Sequence, residues 1–228
     1  MTLLGSAAAW LADPAHWQGS DGIPVRVLEH LEITAASVGF AAAIALPIGL
    51  YLGHTGRFAF LAVNVANVGR ALPSLALLAF ALPLSFALGL GLGFWPTFLA
   101  MVPLAAPPIL TNAFVAIRTT DPDTVEAARG MGMRELDVLR IVEIPSGMPI
   151  LLAGLRTATV NVVATATLGA LVAGGALGRY IIDGLALQEY DRLVAGAFLV
   201  ALLALGTELG FGLLERSSRH TRAVGGGP

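Results

Sequence analysis

Seven charged side chains crowd between Glu126 and Glu143, in a chain of which only 12% of residues are charged. They belong to the stretch Asp123 to Pro145, D-T-V-E-A-A-R-G-M-G-M-R-E-L-D-V-L-R-I-V-E-I-P, which has long apolar segments on either side. Such an island cannot lie in hydrocarbon, so it faces water or another protein. Two further charges, Arg156 and Glu208, stand singly inside apolar runs, and Thr157, Asn161 and Thr165 recur at i, i+4, i+8 beside the first of them. These residue types suit docking, ion pairing and the lining of a path rather than covalent chemistry. With no cysteine, the chain has no thiolate nucleophile, disulfide or cysteine metal site. His16, His30, His54 and His220 are scattered and show no ligand spacing. Lysine is also missing, all thirteen basic residues being arginine, so the phosphate-cradling G-x-x-x-x-G-K-[ST] loop cannot be built. The chain reads as non-catalytic, with no bound cofactor or metal; if it belongs to an ATP-driven machine, the ATPase is another chain.

The elements that hold these residues are helices. Asp123 can cap a helix N-terminus with Glu126 reaching back three residues later, and Pro122 prevents the preceding helix from continuing. A short helix is therefore expected from Thr124. Gly130 and Gly132 offer positions for φ > 0 at its end, and Met133 to Glu143 reads as a second helix with Leu136, Leu139 and Val142 on one side, stopped by Pro145. Ala127 and Ala128 leave one surface of the first helix nearly bare, open to close approach by a foreign surface.

Around the island the chain is 56% hydrophobic, too apolar for a soluble domain of this length. The pattern predicts an all-α membrane protein. Residues 1–30 form an extracytoplasmic or interfacial segment, with Trp10 and Trp17 suited to the bilayer surface. Residues 31–215 form the transmembrane domain, with spans at about 31–53, 72–92, 96–117, 149–173 and 193–214 and the charged loop at 121–145. A short interfacial helix is expected at 57–70, a polar external loop follows the fourth span, and 216–228 is a disordered tail. Arg57, Arg70, Arg118, Arg129, Arg134, Arg140, Arg216, Arg219 and Arg222 fall on one side of these spans; Arg26, Arg179 and Arg192 fall on the other. The positive-inside rule then puts the charged loop and C-terminus in the cytoplasm and the N-terminus outside.

From the cytoplasmic ends, Arg156 lies roughly 12 Å and Glu208 roughly 9 Å into the membrane at about 1.5 Å per residue. An isolated charge at that depth is expensive, so the two are expected to pair or to share a hydrated mouth. The Thr157, Asn161, Thr165 stripe can line a translocation path; it can equally hydrogen-bond neighbouring helices, the commoner use of such residues in membranes.

Glu126, Ala127, Ala128 and Gly132, closed by Val142, Ile144 and Pro145, resemble the EAA loop of the membrane subunits of bacterial ABC importers, with conservative departures at two of the closing positions. The resemblance implies a coupling helix that docks on a separate cytoplasmic ATPase, where ATP and magnesium would be held. N-V-G-R-A-L-P-S-L-A-L-L-A-F-A-L-P from Asn67, D-P-D-T-V-E-A-A-R-G-M-G-M from Asp121, and G-L-R-T-A-T-V with A-T-L-G-A-L-V-A-G-G-A-L-G from Gly154 onward look like the permeases of osmoprotectant importers, which carry glycine betaine, choline, carnitine and related quaternary amines. That likeness covers about residues 31 to 215. It implies the MetI-like fold in a bacterial inner membrane, a second permease subunit as homodimer or heterodimer, an external substrate-binding protein and contact with membrane lipid; no nucleic acid is expected. A methionine-type or polar amino-acid importer, and a nucleotide-independent channel or scaffold, remain open alternatives.

Overall fold

The computed structural model describes all residues except 1, 58, 59, 61–63, 66, 68, 70 and 226–228, and no side chain from 216 onward. All the regular secondary structure of the described residues is helical. Helix α1 is Leu3–Ala12 and is followed by a 3-10 turn, Pro14–Trp17; α2 is Ile23–Thr55, α3 Ser74–Ala87, α4 Phe94–Arg118 and α5 Pro122–Gly130. A short α6, Glu135–Asp137, leads through a π-helical segment, Val138–Glu143, into α7, Ile144–Thr165, and a 3-10 extension, Ala166–Val172. Then come α8, Gly178–Ala186, and α9, Tyr190–Gly225.

Four helices among the described residues are long and apolar enough to cross a membrane: Ile23–Thr55, Phe94–Arg118, Glu135–Val172 and Tyr190–Glu215. The first begins eight residues earlier than expected, taking over the end of the supposed interfacial segment. The second expected span, 72–92, is represented by α3, which has only 14 residues. At about 1.5 Å per residue it reaches roughly 21 Å, less than the hydrocarbon thickness of about 30 Å. It stops at Ala87 because Gly89, Gly91 and Gly93 all take positive φ, and the Ser85 hydroxyl donates to the Gly91 carbonyl at 2.6 Å to fold the turn back. The expected external loop contains α8, and helix α9 continues to Gly225, into the region expected to be a disordered tail. Most of the interfacial helix expected at 57–70 lies outside the described residues.

The residues group into two compact units. The first comprises Met1–Gly39, Leu72–Leu104 and Thr159–Thr207. Its core gathers Ile23, Leu177, Tyr180 and Val200, with Trp10, Leu11 and Val27 packed against them. Trp10 stacks on His16 at 3.9 Å and meets Tyr180 edge-on at 5.2 Å, while the Tyr180 hydroxyl donates to the Asp21 carbonyl at 2.5 Å. Thus the N-terminal segment is pinned by aromatic contacts, the role its tryptophans can play wherever one ring edge must stay polar. His30 is fully buried, and its Nε2 bonds the Val163 carbonyl at 2.8 Å.

The second unit comprises Phe40–Ala71, Ala105–Ala158 and Glu208–Pro228. Here α4 is the central helix. A Cβ on Gly49 would lie 2.6 Å from the Ala113 Cβ, and one on Gly53 2.7 Å from the Ile117 Cβ, so α2 meets α4 along a G-x-x-x-G edge. On another face of α4, a Cβ on Gly147 or Gly154 would meet Ala116 or Asn112 at 2.7 and 2.6 Å. Small residues let helix backbones approach closely where no hydrophobic effect drives them together, which is how apolar bundles gain packing contacts.

Candidate functional site

The charged island folds as a helical hairpin within the second unit. Its first helix, α5, is capped by Asp121, not by the expected Asp123: Oδ1 accepts from the Asp123 backbone N–H at 3.2 Å and Oδ2 from the Thr124 hydroxyl at 2.9 Å. Pro122 occupies the first helical position, where its missing N–H leaves nothing unsatisfied. Helix α5 therefore starts two residues earlier than the reading from Thr124. At the other end, the Met133 N–H bonds the Ala128 carbonyl at 3.3 Å and the Gly132 N–H bonds the Arg129 carbonyl at 2.9 Å, with Gly132 at φ 86°. That pair of bonds is a Schellman motif, and Met133 makes its apolar contact by packing on Val125, Ala128 and Val138. Gly132 alone carries the positive φ; Gly130 remains helical.

The two alanines do different things. Ala127 is exposed beside Glu126, whereas Ala128 is buried against Val125 and Val138. Only Ala127 is bare to an outside surface. In the second arm, Pro145 does not end the helix. The chain passes from α6 into the π-helical turn Val138–Glu143 and on through Pro145 into α7. A proline lacks an N–H and its ring crowds the carbonyl four residues back, and a widened turn just before it relieves both problems. The wider turn also shifts the apolar face. Val138 becomes the buried residue, Leu139 and Val142 are half-buried, and Leu136 points out at 53% exposure. Met131 and Ile141 are exposed as well, so the outer surface of the hairpin is a mixture of apolar side chains and the charges of Glu126 and Arg140. Ile144 packs on the cluster around Ala113, Ala116 and Leu151, and Pro145 is exposed.

A chain of ion pairs ties the hairpin to the end of α2. Arg129 grips Glu135 with both ends of its fork, Nε to Oε1 at 3.0 Å and Nη2 to Oε2 at 2.9 Å. Glu135 Oε2 also lies 3.1 Å from His54 Nε2, and His54 Nδ1 lies 2.5 Å from Oε2 of the buried Glu143. Nothing local singles out His54, because its partners, Glu135 and Glu143, lie about eighty and ninety residues away. The signal available was Glu143, a carboxylate whose side-chain neighbours in the pattern are apolar.

Arg156 and Glu208 come together: Arg156 Nη2 donates to Glu208 Oε1, and Nη1 reaches Glu215 Oε2 at 3.3 Å. Glu215 is the last residue of the expected transmembrane domain. Because α9 continues, it stands two turns beyond Glu208 on the same helix, and the guanidinium fork serves both carboxylates. The expected stripe satisfies its hydroxyls internally. Thr157 Oγ1 donates to the Ala153 carbonyl at 2.9 Å and Thr165 Oγ1 to the Asn161 carbonyl at 2.7 Å; Thr157 and Asn161 are exposed. Back-bonding to the preceding turn leaves these hydroxyls without need of a neighbouring helix. Among the described residues no group of three or more His, Asp or Glu side chains could hold a metal ion.

Comparison with known proteins covers most of the chain. Residues 45–220 match the model for binding-protein-dependent transport system inner membrane components. The carnitine transport permease protein OpuCB of Listeria monocytogenes is 37% identical over 191 residues, 84% of this chain and 85% of the relative. The choline transport system permease protein OpuBB of Bacillus subtilis is 34% identical over 84% of this chain and 86% of its own. The osmoprotectant import permease protein OsmW of Salmonella typhimurium is 32% identical over 78% and 82%. Among solved structures, an inward-facing MetNI methionine ABC transporter chain superposes with a TM-score of 0.75 at 23% identity, covering 91% of this chain and 99% of that one. At that identity the superposition speaks for the fold.

Proposed function

This chain belongs to the family of binding-protein-dependent transport system inner membrane components, and on that premise we propose that it is the permease subunit of an ATP-driven importer of osmoprotectants, small quaternary amines such as carnitine, choline and glycine betaine. The observation that carries the substrate class is similarity to carnitine and choline permeases over more than four fifths of both chains. Glu126, Ala127, Gly132 and the exposed Met131, Leu136 and Ile141 form the surface that docks on a cytoplasmic ATPase, with ATP and magnesium on that partner. Ala128, Val142, Ile144 and Pro145 shape the hairpin from within. The hairpin and the C-terminus face the cytoplasm, the N-terminus lies outside, and α3 completes a five-helix core. A second permease subunit closes the pathway, and an external binding protein delivers substrate.

In this mechanism ATP binding draws the docked hairpins together. Displacement passes into α7 through the unbroken helix after the π turn and into α2 through His54, and alternating access follows. Thr157, Asn161 and Thr165 face the path, while the Arg156, Glu208 and Glu215 cluster anchors α9 near its inner mouth. The test is uptake of labelled carnitine, choline, glycine betaine and methionine by proteoliposomes holding the permease with its ATPase and binding protein. ATP-dependent uptake of a quaternary amine, lost in Gly132→Asp at unchanged insertion, is the expected result. Methionine uptake alone would remove the substrate assignment, and flux without nucleotide would remove the importer.

A further inference from the structure

The first unit contains a cavity of about 310 Å³ walled by Glu29, Glu32, Phe94, Thr97, Gly169 and Ala176. That is the small end of the roughly 300–1,000 Å³ range of ligand sites. Its polar groups are mostly committed. Glu29 Oε2 accepts from the Ala176 N–H at 2.6 Å and from Arg26 Nη1 at 2.7 Å, and Arg26 is held further by Asp21. The Thr97 hydroxyl donates to the Gly93 carbonyl at 2.9 Å. The Thr97 hydroxyl is thus committed to the start of its own helix, and Arg26 is turned onto two carboxylates.

Glu32 is different. It lies one turn beyond Glu29 on α2, exposed, and no described residue donates to its carboxylate. Ionisable side chains on membrane-crossing helices are costly and mark ligand or ion sites when their own chain leaves them unmatched. Phe94 contributes the aromatic wall, held in place by a stack on Phe98 at 6.0 Å and an edge contact with Trp95 at 5.4 Å. The glycines behind the cavity cannot carry side chains: a Cβ on Gly169 would lie 2.6 Å from Thr97 Oγ1 and one on Gly174 2.6 Å from the Gly169 carbonyl oxygen.

The site thus offers a carboxylate to which no described residue donates, beside one aromatic ring. A metal ion would want several oxygens, and a primary ammonium would want three acceptors. A quaternary ammonium wants neither. Its methyl groups donate no conventional hydrogen bond, and its diffuse charge is attracted by a carboxylate and an aromatic ring together. We propose that this cavity is a low-affinity acceptor site for the quaternary ammonium head of the transported solute, with Glu32 as counter-charge and Phe94 as the cation–π wall. Its place in transport rests on the permease reading above, whereas the binding chemistry does not.

The full-length chain in lipid nanodiscs is to be titrated with labelled choline by equilibrium dialysis. Saturable binding is expected, weakened at least tenfold in Glu32→Gln and severalfold in Phe94→Leu. The neutral isostere 3,3-dimethylbutan-1-ol should fail to displace choline from the unaltered chain, a comparison that needs no variant to fold. Absence of saturable binding, binding unchanged in Glu32→Gln, or equal competition by the neutral alcohol would each overturn the assignment. In the assembled importer, Glu32→Gln should raise the half-saturation concentration for choline uptake. An unaltered importer that moves no quaternary amine sinks the permease reading while leaving choline binding to be judged alone; normal transport by Glu32→Gln sinks the acceptor site alone.

Discussion

His54, in the last turn of α2, places Nδ1 2.5 Å from Oε2 of Glu143, a residue only 4% exposed in the π turn of the hairpin's second arm. The other ring nitrogen faces Glu135, which Arg129 holds from the end of α5. One imidazole therefore ties two carboxylates of the hairpin's second arm to α2, and Arg129 brings in the first arm through Glu135. Glu143 is buried, so this bond is shielded from water in a way that an exposed ion pair is not.

Removing Glu143 should show it. Glu143→Ala is expected to cost about 1.5–3 kcal/mol, the usual range for a hydrogen bond to a charged group. His54→Ala should cost a similar amount, and the double variant little more than either single, because both remove the same bond. Graded denaturation of the purified chain in mixed micelles gives the three values; additive losses would show that the two side chains act separately.

The two glycines of the hairpin predict opposite signs. Gly132 sits at φ 86° with open space where a Cβ would go, so Gly132→Ala meets backbone strain and no clash, a loss of about 1 kcal/mol. Gly130 is helical and equally open, so Gly130→Ala should gain about 0.5 kcal/mol from lower unfolded-state entropy. Thermal melts of the two variants beside the parent check this. Shifts of the same sign would contradict the Schellman assignment.

The fold class was legible because apolar length and the Arg distribution are local properties of the chain, and the EAA pattern places Glu126, Ala127 and Gly132 by spacing alone. What escaped the reading depends on contacts distant in sequence. Proline reads as a helix stop, yet the π turn before Pro145 lets the helix pass, and this moves Val138 into the core in place of Leu136. Asp121 outcompeted Asp123 as cap because Pro122 is well suited to the first helical position, a preference visible in the sequence. His54 could be found only by knowing which carboxylates the fold brings to it. The G-x-x-x-G at Gly49 and Gly53 was readable and marks the edge where α2 meets α4.

That edge is sensitive to volume. A methyl group on Gly49 would come within 2.6 Å of both the Ala113 Cβ and the Leu110 carbonyl oxygen, and backbone cannot give way as a flexible side chain does. Gly49→Ala is expected to cost about 1–3 kcal/mol through forced separation of the helices. Gly206→Ala, with nothing within 4 Å of its Cβ position, serves as the helical-glycine control and should be neutral or stabilising. Comparable loss in both variants would remove close packing as the cause.

Arg156 faces two carboxylates, so the three residues should respond unequally. Glu208→Gln leaves Glu215 to neutralise the guanidinium, and Glu215→Gln leaves Glu208; each single change should be mild. Arg156→Ala removes the guanidinium shared by two carboxylates that lie near one another on α9, where like charges repel, and should lower thermal stability more than either glutamine variant. Arg156→Lys should restore only part of the loss, because an ammonium cannot present the planar fork that reaches both partners. Combining Arg156→Ala with Glu208→Gln and Glu215→Gln should recover stability relative to Arg156→Ala alone, since the repelling pair is then gone. Melting temperatures of these variants, measured at one lipid composition and low salt, decide the matter. If the triple variant melts no higher than Arg156→Ala, then lost packing of the arginine stem, not the imbalance of charge, is what the substitution costs.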